Sequence, residues 1–394
     1  MPPSAFIVDA FRSPMGRGKA GGALADVHPV DLLAQTLQAL FARNPSLDAG
    51  EVDDVIVGCV SQVGEQSATP GRMAWLGAGL PVHVPSTTID RKCGSSQQAV
   101  HFAAQGIMAG AYDVVVAAGV ESMSRIPMGS ARMGADPFGE GVASRFAPGL
   151  VPQGVSAELV AHRWSVSRGE QDAFALESHR RAAAAADGGA FDREIVSITT
   201  PHGRVTRDES IRRGGSLEKL AQLPTPFRTP ELEQRFPELE WTVTPGNASQ
   251  ITDGAACVLL VSDRAAQRFG LTPRARIHTM TIAGDDPLLM LTAPIPATRK
   301  ALARSGLTLD DIDHIEVNEA FAPVPLAWAK EFGIDLARVN PRGGAIALGH
   351  PLGASGARCM TTMLHALEDG DQTLGLQTIC EAGGMANATI LERI

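Results

Sequence analysis

Apolar residues along the chain recur at two spacings, one typical of buried strands and the other of amphipathic helices. Short apolar runs at residues 5–8, 256–261 and 315–317 predict buried strands. From residue 95 to about 109, pairs of apolar residues recur at intervals of about four positions, which predicts a helix with one buried face. Such alternation of strands and helices predicts an α/β fold.

The chain also resembles itself. The segment EVDDVIVGCV (51–60) matches DIDHIEVNEA (311–320) at an offset of 260 residues, and the segment from Gly94 matches the one from Gly353 at an offset of 259. Each half has the pattern helix, strand, small-residue turn, helix, strand. We therefore predict two similar α/β units that pack about a pseudo-twofold axis.

The region between the two similar halves has a different character. It contains SRGE (167–170), the capping box of a predicted helix, and a segment rich in proline and charge at 224–240. We expect it to be an insertion that covers the core and contributes substrate contacts. The expected division is a first half at 1–121 plus about 250–272, an inserted loop domain at 122–249, and a second half at 273–394.

Composition and charge narrow the classes of protein. Hydrophobic residues make up 44% and charged residues 20%, as in ordinary soluble globular proteins. The net charge of −9 argues against a broad surface for nucleic acid or anionic membranes. No apolar run is long enough to span a bilayer. The N-terminal residues lack the apolar core and cleavage site of a signal peptide, so we expect no targeting segment.

The five cysteines are odd in number and widely spaced. Neither a disulfide framework nor a CxxC metal pattern fits them, so we expect no metal site and a reducing, cytoplasmic location. Cys59, Cys257 and Cys359 fit the role of packing residues.

Cys93, in DRKCGSSQQAV, is different because it falls at the start of the predicted helix, where free N–H groups favour an anion. Lowering a thiol pKa from about 8.5 to about 7 requires roughly 2 kcal/mol, and a helix end supplies only about 0.3–1 kcal/mol. A reactive Cys93 would therefore need a base. A buried, inert cysteine is the alternative if no partner exists.

Three further polar residues follow small-residue turns or strand ends. His350 lies in the glycine-rich stretch NPRGGAIALGHPLGASGAR, Asn318 follows the strand 315–317, and Cys380 ends a strand-like stretch before a Gly-Gly turn. The repeat predicts that Cys93 and His350 begin equivalent helices, while Asn318 and Cys380 follow strands of one unit. All four side chains are therefore expected to converge between the halves.

These residues and their surroundings resemble the thiolases. The resemblance rests on CGSS at Cys93, NEAFA at Asn318, GGAIALGHPLGASGAR at His350 and CEAGGMANA at Cys380. GNASQITDGAA and the N-terminal IVDAFRSPMGR belong to the same pattern, so it covers nearly the whole chain. The resemblance implies duplicated βαβαβαββ halves, a layered αβαβα core and an inserted loop domain.

The resemblance also implies roles. Cys93 would accept the acyl group as a thioester, His350 would deprotonate it, and Cys380 would exchange a proton with the α-carbon. Asn318, through a water, and His350 would form one oxyanion hole. The backbone N–H groups of Cys93 and Ala382 would form the other. The reaction would be ping-pong thiolytic cleavage of 3-ketoacyl-CoA, or the reverse Claisen condensation.

One position departs from the family pattern. Thiolases usually have Cys-x-Gly-Gly-Gly, whereas Ala382 stands two residues after Cys380. Since alanine tolerates positive φ poorly, we predict a negative φ at Ala382 with the N–H group retained. MANA in place of MGVA, together with PQGVSAE (152–158) without a His-Met pair, resembles the degradative branch and favours a roomier acyl pocket.

Coenzyme A is expected as a substrate, with no tightly bound cofactor. By resemblance, Ser249 would contact the pantetheine, Arg212 would lie near the nucleotide, and Ala320 and Phe321 would contribute to the substrate site. A solvated surface is the alternative for Arg212. Acyl-CoA and CoA are the expected partners, without nucleic acid or membrane, and a homodimer or homotetramer is expected.

Several other functions remain open or are disfavoured. A decarboxylating condensing enzyme of similar fold would lack Cys380. No GxGxxG follows the first strand and no GxSxG occurs, which disfavours a nicotinamide dehydrogenase and a serine hydrolase. A short-chain biosynthetic acetoacetyl-CoA thiolase and a non-catalytic acyl- or lipid-binding relative are the remaining alternatives.

Overall fold

The computed structural model describes residues 4–394, and regular elements occupy most of them. The strands are β1 Ala5–Arg12, β2 Gly16–Arg17, β3 Asp54–Gly58, β4 Ser86–Ile89, β5 Val114–Ser122, β6 Ile198–Thr200, β7 Gly203–Val205, β8 Thr252–Ser262, β9 Ala275–Gly284, β10 His314–Val317, β11 Leu374–Glu381 and β12 Met385–Arg393. The helices are α1 Pro29–Arg43, α2 Pro70–Gly77, α3 Ser95–Met108, α4 Gly139–Arg145, α5 Gln153–Arg163, α6 Arg168–Asp187, α7 Leu217–Ala221, α8 Pro230–Arg235, α9 Asp263–Phe269, α10 Pro294–Ser305, α11 Pro323–Phe332, α12 Ala345–Leu348 and α13 Ser355–Asp369.

Ten of these strands form one mixed sheet. Its order is β10-β11-β12-β9-β1-β8-β5-β3-β4, and β2 pairs with β8. The junction between β1 and β9 is narrow, because only Phe6–Arg276 and Ile7–Ala275 pair there. The sheet is therefore two smaller sheets joined at one edge, with the strands of the first half on one side and those of the second half on the other.

Both halves follow the predicted βαβαβαββ order. The first half runs β1-α1-β3-α2-β4-α3-β5 and then, after the intervening region, β8. The second half runs β9-α10-β10-α11, then α12 and α13, then β11-β12. Its third strand is reduced to a single bridge between Ile315 and Val339, the counterpart of the β3–β4 pairing. The predicted fold class is confirmed, with this one shortened strand.

The elements stack in five layers of alternating helix and sheet. Helices α1 and α2 pack on one face of the first sheet, α3 and α13 lie between the two sheets, and α10 and α11 cover the outer face of the second. Strand β8 shows how the sequence encodes this arrangement. Leu259 faces α1 and α2, while Val258 and Leu260 face the central helices, because successive side chains of a strand point to opposite faces.

A matched pair of hydrogen-bonded aspartates shows which residues of the two halves correspond. Asp53 accepts hydrogen bonds from the backbone N–H groups of residues 113 and 114, at 2.6 and 2.9 Å. Asp313 does the same for residues 373 and 374, at 2.9 and 2.8 Å. Each aspartate thereby holds the start of the strand that follows a central helix. The two aspartates, like the residues that they contact, are 260 positions apart.

The same offset applies to the central helices, and it corrects the alignment. Helix α3 begins at Ser95 and α13 at Ser355, which are 260 positions apart and not 259. The counterpart of Cys93 is therefore Gly353. Cys93 and His350 precede equivalent helices, as predicted, but they do not occupy equivalent positions. The offset of 259 resulted from matching Gly94 with Gly353. A Cβ at Gly353 would lie 2.7 Å from the Cys59 Cα, so close packing requires glycine at that place.

The region between β5 and β8 contains α4 to α8 and the hairpin of β6 and β7. The predicted capping box is present: Ser167 accepts a hydrogen bond from the Glu170 backbone N–H, and the Glu170 side chain accepts one in return. The predicted domain boundaries themselves stay a prediction. None of the helices within residues 4–394 has the length and apolar character needed to cross a membrane.

Candidate active site

Cys93 lies in the short connection between β4 and α3. Lys92, with a φ of 48°, turns the chain there, and Gly94 is the N-cap residue of the helix. The Cys93 side chain is only 4% exposed and packs against Met123, Leu352 and other apolar residues. The thiol therefore lies near the positive end of a central helix, in surroundings from which water is largely excluded.

This burial determines the state of the Cys93 thiol. Burial raises its pKa well above the usual range, and the nearby acidic groups Cys380, Glu381 and Glu121 raise it further. The adjacent backbone N–H lowers the pKa, but burial dominates. The resting group is accordingly a neutral thiol, and the need for a base is greater than the sequence alone indicates.

His350 is held by its backbone. Its N–H group donates to the carbonyl of Gln250 at 3.1 Å and to the Thr252 hydroxyl at 3.0 Å. The preceding Gly349 has a φ of 95°, a conformation that favours glycine. The imidazole is thereby fixed at the junction between the end of α12 and the short 3₁₀ turn Leu352–Ala354.

Ser355 determines which ring nitrogen of His350 carries the proton. The Ser355 hydroxyl donates its only hydrogen to the carbonyl of Pro351 at 2.9 Å, and it lies 2.6 Å from His350 Nδ1. With the hydroxyl hydrogen directed at that carbonyl, Nδ1 is the donor in the contact with Ser355, and Nε2 carries the lone pair, which faces Asn318 Nδ2. Burial, aided by the charge of Arg358, lowers the His350 pKa to about 3. His350 is thus a neutral base at physiological pH.

Asn318 lies between His350 and the second cysteine, Cys380. It follows β10, and its Nδ2 is 3.5 Å from His350 Nε2. Burial and the charge of Glu381 raise the pKa of Cys380 to about 12, while a hydrogen bond from Asn318 favours its thiolate. The Asn318 Oδ1 atom is buried without a hydrogen-bond partner in residues 4–394, so this acceptor is free for a polar group in the site.

The structure brings the four predicted side chains together. Leu352, two residues after His350, and Ile379, which precedes Cys380, pack in the same small cluster as Cys93. Asn318 contacts both His350 and Cys380. Two thiols, a neutral imidazole and an amide therefore share one buried space at the ends of strands and helices from both halves.

The turn after Cys380 accommodates alanine without strain. Gly383 and Gly384 have φ angles of 98° and 78°, whereas Ala382 is not among the residues of positive φ in the described part of the chain. The predicted negative φ at Ala382 is confirmed. The following Gly384 is essential to the shape of the turn, because a Cβ there would lie 2.7 Å from the Asp285 carbonyl oxygen.

Three of the predicted substrate-binding residues are neighbours. The Ser249 backbone N–H donates to the Ala320 carbonyl at 2.9 Å, and Ala248 pairs with Phe321 in a short antiparallel bridge. The Phe321 ring meets the Phe227 ring edge-on, with centroids 6.2 Å apart. Since Asn318 begins the same turn, this group lies at one side of the cysteine and histidine cluster.

Arg212 lies on an exposed loop between β7 and α7. The loop is anchored to the end of α12, because the Ser210 hydroxyl donates to the Leu348 carbonyl at 2.9 Å. The adjacent Arg213 pairs with Asp187, whereas the Arg212 guanidinium makes no ion pair with any described residue. Arg212 is therefore an available cation on a loop that packs close to His350.

Sequence analysis overlooked two residues of this cluster. Ser355 fixes the imidazole tautomer, and Glu381 is a buried carboxyl group beside Gly94. Neither stands out in the sequence, since one is a serine in a small-residue helix start and the other follows Cys380. As for metals, no group of three or more His, Cys, Asp or Glu side chains arranged to hold an ion is found in residues 4–394.

The comparisons with known families agree with this geometry. The family description Thiolase, N-terminal domain matches residues 5–264, and Thiolase, C-terminal domain matches residues 271–393. The chain therefore belongs to the thiolase family. It is an enzyme of this class that carries out CoA-dependent thiolytic cleavage. This membership removes the decarboxylating condensing enzyme and the non-catalytic relative from the alternatives.

Individual relatives cover nearly the whole chain. A steroid 3-ketoacyl-CoA thiolase, FadA6 of Mycobacterium tuberculosis, is 48% identical over 99% of this chain and 94% of its own length. A 3-ketoacyl-CoA thiolase of Aeromonas salmonicida is 43% identical over 98% of this chain and 99% of its own. The crystal structure of the Bacillus anthracis acetyl-CoA acetyltransferase superimposes with a TM-score of 0.87 and 36% identity, covering 100% of this chain and 99% of that one.

The tautomer assignment yields a prediction for Ser355→Ala. Loss of the Nδ1 partner removes a hydrogen bond to a histidine that becomes charged when it accepts a proton, a contact worth about 1.5–3 kcal/mol. We expect a roughly 10- to 100-fold slower acylation of Cys93, measured by rapid quench and mass spectrometry. Ser305→Ala, which removes a hydroxyl bonded to a helix carbonyl far from the site, serves as the control. Acylation as fast as in the wild type would contradict the assignment.

Proposed function

We propose that this thiolase works by a ping-pong mechanism in which Cys93 carries the acyl group as a thioester. The observation that supports this most directly is that a buried neutral thiol and a neutral imidazole belong to one cluster, since Leu352, two residues after His350, packs with Cys93. Such a pair is suited to proton transfer during attack, since neither group carries charge at rest. His350 Nε2 takes the Cys93 proton as the Sγ–carbon bond forms.

In the cleavage direction, Cys93 Sγ attacks the 3-keto carbon and the bond between C2 and C3 breaks. The electron pair remains on C2 as the enolate of acetyl-CoA, which takes a proton from the Cys380 thiol. After acetyl-CoA leaves, the thiol of a second CoA attacks the acyl thioester as the Cys380 thiolate takes its proton, and the shortened acyl-CoA leaves as His350 returns its proton to Cys93. In the condensation direction, Cys380 removes the α-proton from acetyl-CoA.

Two groups of hydrogen-bond donors are suited to the developing oxyanions. We assign one hole to His350, once it is protonated, and to a water held by the free Oδ1 of Asn318. The backbone N–H groups of Cys93 and Ala382 would form the other, and the relaxed backbone at Ala382 supports that role. A single donor in such a hole commonly contributes about 2.7–4 kcal/mol in the transition state.

For the substrate, we propose 3-ketoacyl-CoA esters that are longer than acetoacetyl-CoA, in a degradative chain-shortening reaction of the β-oxidation type. The names of the relatives support this class, because they specify steroid 3-ketoacyl-CoA, 3-ketoacyl-CoA and 3-oxoadipyl-CoA as substrates of those enzymes. The aromatic pair Phe227 and Phe321 provides an apolar wall for an acyl group. A short-chain acetoacetyl-CoA thiolase is the second candidate, favoured by the likeness to an acetyl-CoA acetyltransferase.

Coenzyme A would bind along the inserted region, residues 122–249. We assign the pantetheine to Ser249 beside Ala320 and Phe321, and the nucleotide phosphates to the available guanidinium of Arg212. CoA acts here as a substrate and not as a resident cofactor.

We further propose a cytoplasmic homodimer or homotetramer. Strand β4 ends the ten-stranded sheet, and its free edge can pair with a second copy. Phe102 on the neighbouring α3 is 42% exposed, which is unusual for an aromatic residue on a central helix. The five free thiols fit a reducing compartment. We expect sedimentation velocity to give two or four chains per particle, and a monomer would contradict the proposal.

The nucleophile assignment predicts an acyl adduct on Cys93. Brief exposure to acyl-CoA esters of increasing length and branching, followed by peptide mapping, should show the acyl mass on Cys93 and its loss on adding CoA. The preferred ester gives the size of the pocket, and preference for acetyl-CoA alone would favour the short-chain candidate. Cys93→Ala should abolish the adduct and turnover, while Cys257→Ala, at a buried packing position, should retain both. Turnover by Cys93→Ala would contradict the assignment.

Cys380→Ser separates the two chemical steps. A serine hydroxyl is a much weaker acid than a thiol, so protonation of the enolate should slow by at least about 100-fold. Acylation of Cys93 by a simple acyl-CoA needs no enolate and should change by less than about tenfold. Stopped-flow turnover of a 3-ketoacyl-CoA and rapid-quench acylation measure the two rates. Equal losses in both would show that the role of Cys380 is different.

A further inference from the structure

Glu381 is a buried acid beside the nucleophile with no assigned role. It ends β11 directly after Cys380, and its side chain is fully buried. Neither carboxyl oxygen has a hydrogen-bond partner in the described chain. A buried carboxylate without partners is costly, and protonation removes that cost. Burial accordingly raises the pKa of Glu381 to about 8.

The counterpart of Glu381 in the first half is Glu121, 260 positions earlier. Glu121 is the penultimate residue of β5 and accepts hydrogen bonds from the backbone N–H groups of Val60, Ser61 and Gly353, at 2.9, 3.1 and 2.9 Å, and from the side chain of Gln66. Four donors thus satisfy the carboxyl group near the N-terminus of α13. The pseudo-symmetry places Glu381 near the N-terminus of α3, but without those donors.

The place of the Glu381 carboxyl group is set by Gly94. A Cβ at Gly94 would lie 1.9 Å from Glu381 Oε1, so any other residue would displace the carboxyl group. Gly94 is the N-cap residue of α3 and directly follows Cys93. Two acidic side chains, Cys93 and Glu381, therefore lie beside one helix N-terminus, so the charge of one bears directly on the ionisation of the other.

The surroundings of Glu381 contain both signs of charge. The charged and titratable groups around it come from three elements. The β4–α3 connection contributes Asp90, Arg91 and Cys93, its own strand contributes Cys380, and β5 contributes Glu121. Arg91 favours the carboxylate and Asp90 opposes it. The anionic form of Glu381 opposes thiolate formation at both Cys93 and Cys380.

We propose that Glu381 is a positioning residue that acts on Cys93 through its charge. In its neutral form it leaves the N-terminus of α3 to the Cys93 thiolate, and in its ionised form its charge opposes the thiolate. The inference deepens the proposed function, since it rests on Cys93 as the nucleophile.

The sign of the pH effect follows from these contacts. Below about pH 8 Glu381 holds its proton, and the Cys93 thiolate meets no carboxylate. As the pH rises through that value, Glu381 releases its proton to solvent and opposes ionisation of the thiol. The reactivity of Cys93 should therefore rise less steeply above pH 8 than a lone thiol would.

Iodoacetamide alkylation of Cys93, followed by peptide mapping between pH 6.5 and 9.5, tests the proposal without requiring acyl transfer. Glu381→Gln keeps the shape of the neutral acid but cannot ionise. We expect the ratio of the variant's alkylation rate to the wild-type rate to grow about tenfold between pH 7 and pH 9, as for a shift of one pKa unit. The control is Glu392→Gln, at an exposed ion pair with Arg276, for which the ratio should stay constant.

A ratio that is also constant for Glu381→Gln would overturn the proposal. If this variant fails to fold, the wild-type profile decides by itself: a break in slope near pH 8 supports the proposal, and a straight rise overturns it. The acylation experiment separates this result from the fate of the proposed function. Absence of an acyl adduct on Cys93 would remove the nucleophile role, whereas an adduct with superimposable alkylation profiles would remove only the role of Glu381.

Discussion

The packing of α3 and α13 between two sheets is the constraint on which the rest of the molecule depends. Helix α13 is buried from Ser355 to Leu367, and α3 shares the same apolar layer. The polar groups at the N-termini of these helices are shielded from bulk water, so an ionised group there is costly unless it finds a partner. Cys93, His350 and Glu381 all lie near the N-termini of these two helices, and burial is the largest influence on the pKa of each.

Duplication supplied two such helix ends, and the two halves differ where the chemistry lies. Asp53 and Asp313 hold their strands in the same way, because that bond serves the scaffold. At the N-termini of the central helices the two halves differ. Gly353 packs against β3 where the first half has Cys93, and the four donors around Glu121 have no equivalent around Glu381. The N-terminus of α13 is therefore a hydrogen-bonded packing contact, whereas the N-terminus of α3 carries Cys93 and the unpartnered carboxyl group of Glu381.

The sequence predicts the scaffold better than it predicts the site. The helix expected at about 95–109 is observed at Ser95–Met108, because a face of apolar residues with a regular spacing needs no long-range information. The shortened third strand of the second half and the true offset of the central helices depend on tertiary packing. Ser355 and Glu381 were overlooked for the same reason, since only their contacts across the fold, to His350 and to Gly94, reveal their importance.

The resting state that burial imposes also explains how the thiol is activated. A permanent thiolate–imidazolium pair would require two desolvated charges, and the pKa shifts of both Cys93 and His350 favour their neutral forms. Charge must therefore appear on both groups together, during attack on the substrate. The hydrogen bond from Nδ1 to Ser355 then matters most, because it stabilises the imidazolium that exists only in that step. An interaction that strengthens as the charge develops lowers the barrier without stabilising the ground state equally.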